Sequence, residues 1–175
     1  MVEKLSRFIF LALCVILTAC ASSVKRTEDA ADYRYDGAKF CKVELSVSKD
    51  ATKDPDDRVR FDDKALKDMI QRKLEVYGVM DENSLQKVSI EITDIRVRSS
   101  FNAFMWGFMA GDDHVLGDVT LIGEDGKPLH TFNVSASYAL GGFAGMNETR
   151  MSWLFEKFSE LTVEEIIGEH ASPAQ

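Results

Sequence analysis

Asp112, Asp113 and His114, followed by Asp118, set three carboxylates beside an imidazole, a donor set that suits a divalent metal ion. No second His or Cys stands near them, and Asp112-Asp113 falls on an expected turn, so the stretch reads as a solvated strand start with no metal. Asp54, Asp56 and Asp57 lack the spacing of a calcium loop. Nucleophilic catalysis finds little support. His114, His130 and His170 are scattered, and no serine sits in a G-x-S-x-G elbow. A hydrolase would need His114 or His130 within hydrogen-bond reach of a Ser and an Asp. Gly107, Gly111, Gly141, Gly142 and Gly145 resemble a phosphate cradle only in composition. They have no Lys-Ser/Thr ending and no G-x-G-x-x-G after a parallel strand, so loop freedom explains them better. The expectation is a non-enzymatic chain with no catalytic residues and no cofactor.

Phe101 to Ala110 is the oddest segment, reading Phe-Asn-Ala-Phe-Met-Trp-Gly-Phe-Met-Ala where a polar connection is usual. Phe101, Phe104, Met105, Phe108 and Met109 fall at helical spacing, with Trp106 off that face. One reading makes the segment core, as a strand extension or a cover over the sheet edge. The other makes it a docking surface for a partner or a second copy, since exposed apolar patches mark interfaces. Phe101, Phe104, Trp106 and Phe108 are then the contact residues. A third reading dips it into a bilayer, because it is too short to span one. A small-ligand cleft between the sheet and residues 101–111 is the alternative function.

Cys20 carries the most specific chemistry. Lys4 and Arg7 precede an apolar run from Phe8 to Leu17, which ends at Leu17-Thr18-Ala19-Cys20. A spanning helix needs about 20 apolar residues, so this run fits a removed export signal better than a permanent span. Small residues before a cysteine at this position resemble a bacterial lipoprotein cleavage box. The resemblance implies cleavage after residue 19 and lipidation of Cys20 on its thiol and its new amino group. A single acyl chain holds a protein only marginally, at about 0.8 kcal/mol per buried methylene, and the resemblance implies three. Ala21, rather than Asp, follows the cysteine. By the same resemblance that implies the periplasmic face of the outer membrane.

Composition narrows the partners. The net charge of −8 argues against nucleic acid and against an electrostatic grip on anionic lipid. Of three cysteines, Cys14 leaves with the signal and Cys20 is lipidated, so Cys41 has no intrachain partner. Its alternation with Val43, Leu45 and Val47 points it toward the core.

The elements that position these residues follow from periodicity. Residues 20–38 are polar and charged and read as the lipidated cysteine plus a flexible tether. A strand is expected over 41–47, then a loop with its turn at 54–57. A helix follows, capped by Asp62 or Asp63, striped by Leu66, Met69, Ile70 and Leu74, and ended at Gly78. Val88, Ile90 and Ile92 share one strand face. Ile95 and Val97 change phase, which predicts a bulge near Thr93-Asp94. Residues 115–122 and 129–138 form a hairpin turned at 123–126. The last helix runs from about 149 to 167. The domains are thus a signal peptide (1–19), the tether (20–38), an α+β domain (39–168) and a tail (169–175). The order β-α-β-β-β-α predicts a two-layer sandwich, with a mixed four-stranded sheet and two helices on one face.

Gly107-Phe108-Met109-Ala110-Gly111, then Val119-Thr120-Leu121 and Asp125-Gly126-Lys127-Pro128-Leu129, resemble a family of bacterial lipoproteins of unknown function with a G-F-x-A-G stretch. The resemblance spans roughly 39–167. Met105-Trp106 replaces that family's usual arginine. More distantly, the element order is similar to the small α/β domains of the TolB amino-terminal region, the curli secretion lipoprotein CsgG and the penicillin-binding-protein activator LpoB. That likeness implies an interaction or accessory module of the cell envelope, with an envelope protein or its own copy as partner.

Overall fold

The computed structural model describes residues 22–27, 33–51, 61–97, 112–138 and 147–168. The elements run β1 (Ser23–Arg26), β2 (Lys42–Val47), α1 (Asp63–Val76), β3 (Lys87–Arg96), β4 (Asp113–Ile122), β5 (Pro128–Tyr138) and α2 (Asn147–Ile167). The strands form one sheet in the order β1-β5-β4-β3-β2. β2 and β3 are parallel, as the helical crossover between them requires, and every other pairing is antiparallel.

The sheet has five strands, one more than expected. The extra strand, β1, lies inside the stretch read as a tether. Val24 is its only apolar residue, and four residues are too few to display alternation. It is held by long-range pairing instead, with Ser23 opposite Ser135 and Arg26 opposite Phe132.

Alternation along each strand builds one apolar face. Val43, Val88, Ile90, Ile92, Val115, Val119, Leu121, Phe132, Val134 and Ala136 are buried there. Leu66, Ile70 and Leu74 of α1 and Leu154, Phe155 and Phe158 of α2 cover it, so both helices share a face. The opposite face carries small polar and charged side chains, including Glu44, Asp118, Thr120, Thr131 and Asn133. Lys42 and Lys87 both hold Glu44 at 2.7 Å, and their hydrogen bonds pull its pKa down to about 2.

Local signals fall where expected. Asp62 caps α1, its side chain accepting from the Ala65 amide at 2.9 Å. Gly78 follows at φ +66°, where a Cβ would be strained. The β3–β4 register shifts between Ile92 and Asp94, at the expected bulge. Gly117 allows the tightest approach in the core. A Cβ there would lie 3.1 Å from the Glu91 carbonyl oxygen, the Ile92 Cδ1 and the Phe158 Cζ. Cys41 is free and half-buried, and its neighbour Phe40 occupies the core instead.

Candidate functional site

One end of the sheet gathers the start of β1 and the connections that flank β3–β4 and β5–α2. β1 begins there, β3 ends there with Arg96 opposite His114, β4 begins there with Asp113 opposite Tyr138, and β5 ends there. Residues 98–111 join β3 to β4 and residues 139–146 join β5 to α2. Their flanking residues Val97, Asp112 and Tyr138 therefore all lie at this end. Ser22, just ahead of β1, is there too. Its hydroxyl donates to the Ser137 carbonyl at 3.4 Å and accepts from the Ser137 amide at 3.1 Å.

Polar side chains tie this end together. Arg150, in the first turns of α2, donates to Asp113, and both side chains are fully buried. Asp113 is thus an interior ion-pair partner, a correction to its reading as a solvated strand start. The apolar-facing register of β4 explains it, since Asp113 shares a face with Val115 and Val119. Ser137 donates to Asp112, whose carboxyl is partly buried. Burial pushes the Asp112 pKa up, but the Ser137 hydroxyl, its own backbone amide and His114 outweigh that and leave it lowered. His114 lies 3.1 Å from Asp94 through Nε2 and 3.7 Å from Asp112 through Nδ1.

This geometry brings a Ser, an Asp and a His close without making a relay. The Ser137 hydroxyl is spent on a carboxylate, and both His114 nitrogens face carboxylates. In a hydrolase the imidazole would face the hydroxyl. Asp118 stands apart on the open face, bonded by Asn133 at 3.0 Å. Among the described residues, no group of three His, Cys, Asp or Glu side chains is placed to hold a metal ion.

A second polar cluster fastens β1 and the segment after it. His130 is buried on β5, with Nε2 2.8 Å from Glu165 of α2. The carboxylate places the ring proton on Nε2, and Nδ1 has no partner among the described residues. Arg26 donates to the same carboxylate at 2.6 Å and 3.4 Å. Tyr33 stacks on His130 with ring centroids 4.3 Å apart and planes 4° apart, and its hydroxyl donates to the Ile166 carbonyl at 3.3 Å. Burial, then the charge of Asp36, raises the Tyr33 pKa to about 12. Sequence reasoning missed this cluster. Tyr33 stands with Tyr35 in a polar stretch without periodicity, and its partners lie about a hundred residues further on.

Cys20 and the contact residues Phe101, Phe104, Trp106 and Phe108 lie outside the described residues, as do the signal peptide, the 54–57 turn, the glycine link and the tail. A cleft against residues 101–111 is outside them as well. A shallow hollow of about 530 Å³ lies between the outer sides of α1 and α2 and is rimmed by Lys64, Asp68, Arg72, Lys73 and Glu156. Among the described residues no helix is long and apolar enough to cross a membrane.

The family model for a domain of unknown function, DUF4410, matches residues 20–142. The chain belongs to that family. The DUF4410 match covers all five strands and α1, and it stops before α2, which completes the second layer. No curated protein matches the chain. Among solved structures, a PelC dodecamer from Paraburkholderia phytofirmans is similar at 15% identity over 83% of this chain and 98% of that chain, with a TM-score of 0.48. A PelC variant dodecamer from the same organism is similar at 17% identity over 81% and 97%, with a TM-score of 0.46.

Proposed function

We propose that this DUF4410 protein is a lipid-anchored, non-enzymatic interaction module on the periplasmic face of the outer membrane. Cys20 carries the lipid. Phe101, Phe104, Trp106 and Phe108 contact an envelope protein or a second copy of the chain. One observation carries the reading: Ser22 lies at the sheet end from which residues 98–111 leave and return. Two residues of chain reach at most about 7 Å, so a lipid on Cys20 and the aromatic segment's flanks belong to one end of the molecule. An acidic, lipid-held domain suits protein contact better than nucleic acid.

The test has two parts. Mass spectrometry of the N-terminal peptide from envelope membranes should find acyl chains on Cys20, and an intact Met1 would end the reading. Trp106→Ala should then weaken crosslinking to the partner in intact cells while circular dichroism stays unchanged. If that substitution unfolds the domain, Trp106 is core and the contact assignment fails.

A further inference from the structure

Trp153 is the one aromatic among the large apolar side chains exposed in the described residues, at 37%. The others, Val76, Leu85 and Leu129, lie toward the opposite end of the sheet, at the close of α1, ahead of β3 and at the start of β5. Trp153 sits in the second turn of α2 and packs edge-on against Tyr138, with centroids 4.9 Å apart and planes at 60°. Tyr138 is the last residue of β5 and follows Ser137, the residue that holds Ser22. The pair therefore stands beside the point where the chain departs toward Cys20.

We propose that Tyr138 and Trp153 form a second membrane contact, seating the domain on the headgroup layer of a zwitterionic phospholipid bilayer. The proposal rests on the lipid-anchored reading of Cys20. With Ser22 bonded to the sheet, only residue 21 separates it from the lipid-bearing cysteine, so the bilayer surface must come close to this end. Indole and phenol rings favour the headgroup level, where an apolar body and a polar tip are both satisfied. The edge-on packing already fixes the Trp153 ring, so little side-chain freedom remains to be lost on contact.

The surrounding charge selects the lipid. Glu148 and Glu156 line the shallow hollow beside Trp153, together with Thr149 and Ser152. Glu156 is already paired with Lys73 at 2.6 Å. Among the described residues no basic side chain lines that hollow, which disfavours anionic headgroups and leaves zwitterionic ones.

The test uses the full acylated chain, labelled with 5-fluorotryptophan and placed in phosphatidylcholine nanodiscs. Its Trp153 fluorine resonance is identified as the one absent from Trp153→Phe. A nitroxide attached near the lipid headgroup should broaden that resonance until most of its intensity is lost. Replacing the phosphatidylcholine with phosphatidylglycerol should weaken that broadening without abolishing it, since the lipid on Cys20 keeps this end near the surface in either case. A Trp153 resonance indifferent to the lipid nitroxide in an acylated, nanodisc-bound chain overturns the proposal while sparing the lipid anchor. Equal broadening in both lipids overturns the zwitterionic assignment. A chain whose Cys20 bears no acyl group overturns the anchor reading itself, and the N-terminal mass reports that separately.

Discussion

Glu165→Ala is the substitution that most directly tests how β1 is held. Glu165 serves two bases at once, Arg26 on β1 and His130 on β5. The Arg26 side chain is 38% exposed, so its share of the pair contributes about 0–1 kcal/mol. The His130 side chain is fully buried, and stranding its Nε2–H costs about 1–3 kcal/mol. Together the loss is about 1–4 kcal/mol, with about 2 as the central value. It should fall first on β1, which pairs with β5 through only four residues. A drop of about 2 kcal/mol in the local opening free energy raises amide exchange roughly 30-fold. Hydrogen exchange should therefore show that rise at Lys25 and Thr27, whose amides face β5, while Ile90 and Val119 stay protected until global unfolding. Urea unfolding gives the total. Glu165→Gln is the control, because its amide oxygen still accepts from His130 and only the charge toward Arg26 is lost. It should cost under about 1 kcal/mol. Equal costs for the two substitutions would refute the buried hydrogen bond as the main source. An alanine variant within about 0.5 kcal/mol of the parent, with β1 exchange unchanged, would refute the clasp altogether.

Two further outcomes follow from the same packing. Gly117→Val should destabilise by about 1–3 kcal/mol in urea unfolding, because its Cβ would meet a strand carbonyl, Ile92 and Phe158 at 3.1 Å; a neutral variant would mean that Phe158 can move aside. Tyr33, whose pKa is raised to about 12 from 10.0, stabilises fully while protonated in both folded and unfolded chains. That contribution holds below about pH 10 and is lost as pH climbs to about 12, so ultraviolet titration should show late phenolate formation coinciding with release of the segment at 33–36; ionisation near pH 10 without structural change would contradict the stacked, buried ring.

The parts of this fold legible in the sequence are those with a local period. Val88, Ile90 and Ile92 alternate, then Ile95 resumes out of phase, and the bulge sits between those runs. Leu66, Ile70 and Leu74 mark the buried stripe of α1, and Gly78 ends it. What escaped has no period. β1 offers one apolar residue in four, and its register depends on β5 more than a hundred residues away. The Arg150–Asp113 pair escaped for a related reason, since two opposite charges give no sign in sequence that they will be buried together. The end of the sheet that holds Ser22, Val97 and Asp112 was half legible. Cys20 and the aromatic run are both conspicuous, but that their described flanks share one end of the sheet depends on pairings that only the fold supplies.

The fifth strand changes what a lipid on Cys20 would mean. A free tether over residues 21–38 would reach up to about 60 Å at roughly 3.3–3.6 Å per residue, enough to let the domain turn in any direction. With Ser23–Arg26 paired to β5 and Ser22 bonded to Ser137, the free length shrinks to about 7 Å. With the lipid proposed on Cys20, a leash of that length would select one end of the domain and hold it against the bilayer. Glu165 then matters beyond stability. It sits at the far end of β1, clasping Arg26 and His130, so its loss would return the tether its length and the domain its freedom to turn. With the anchor proposed for Cys20, orientation at the membrane would depend on the stability of a four-residue strand, and a substitution that leaves the core untouched would change both.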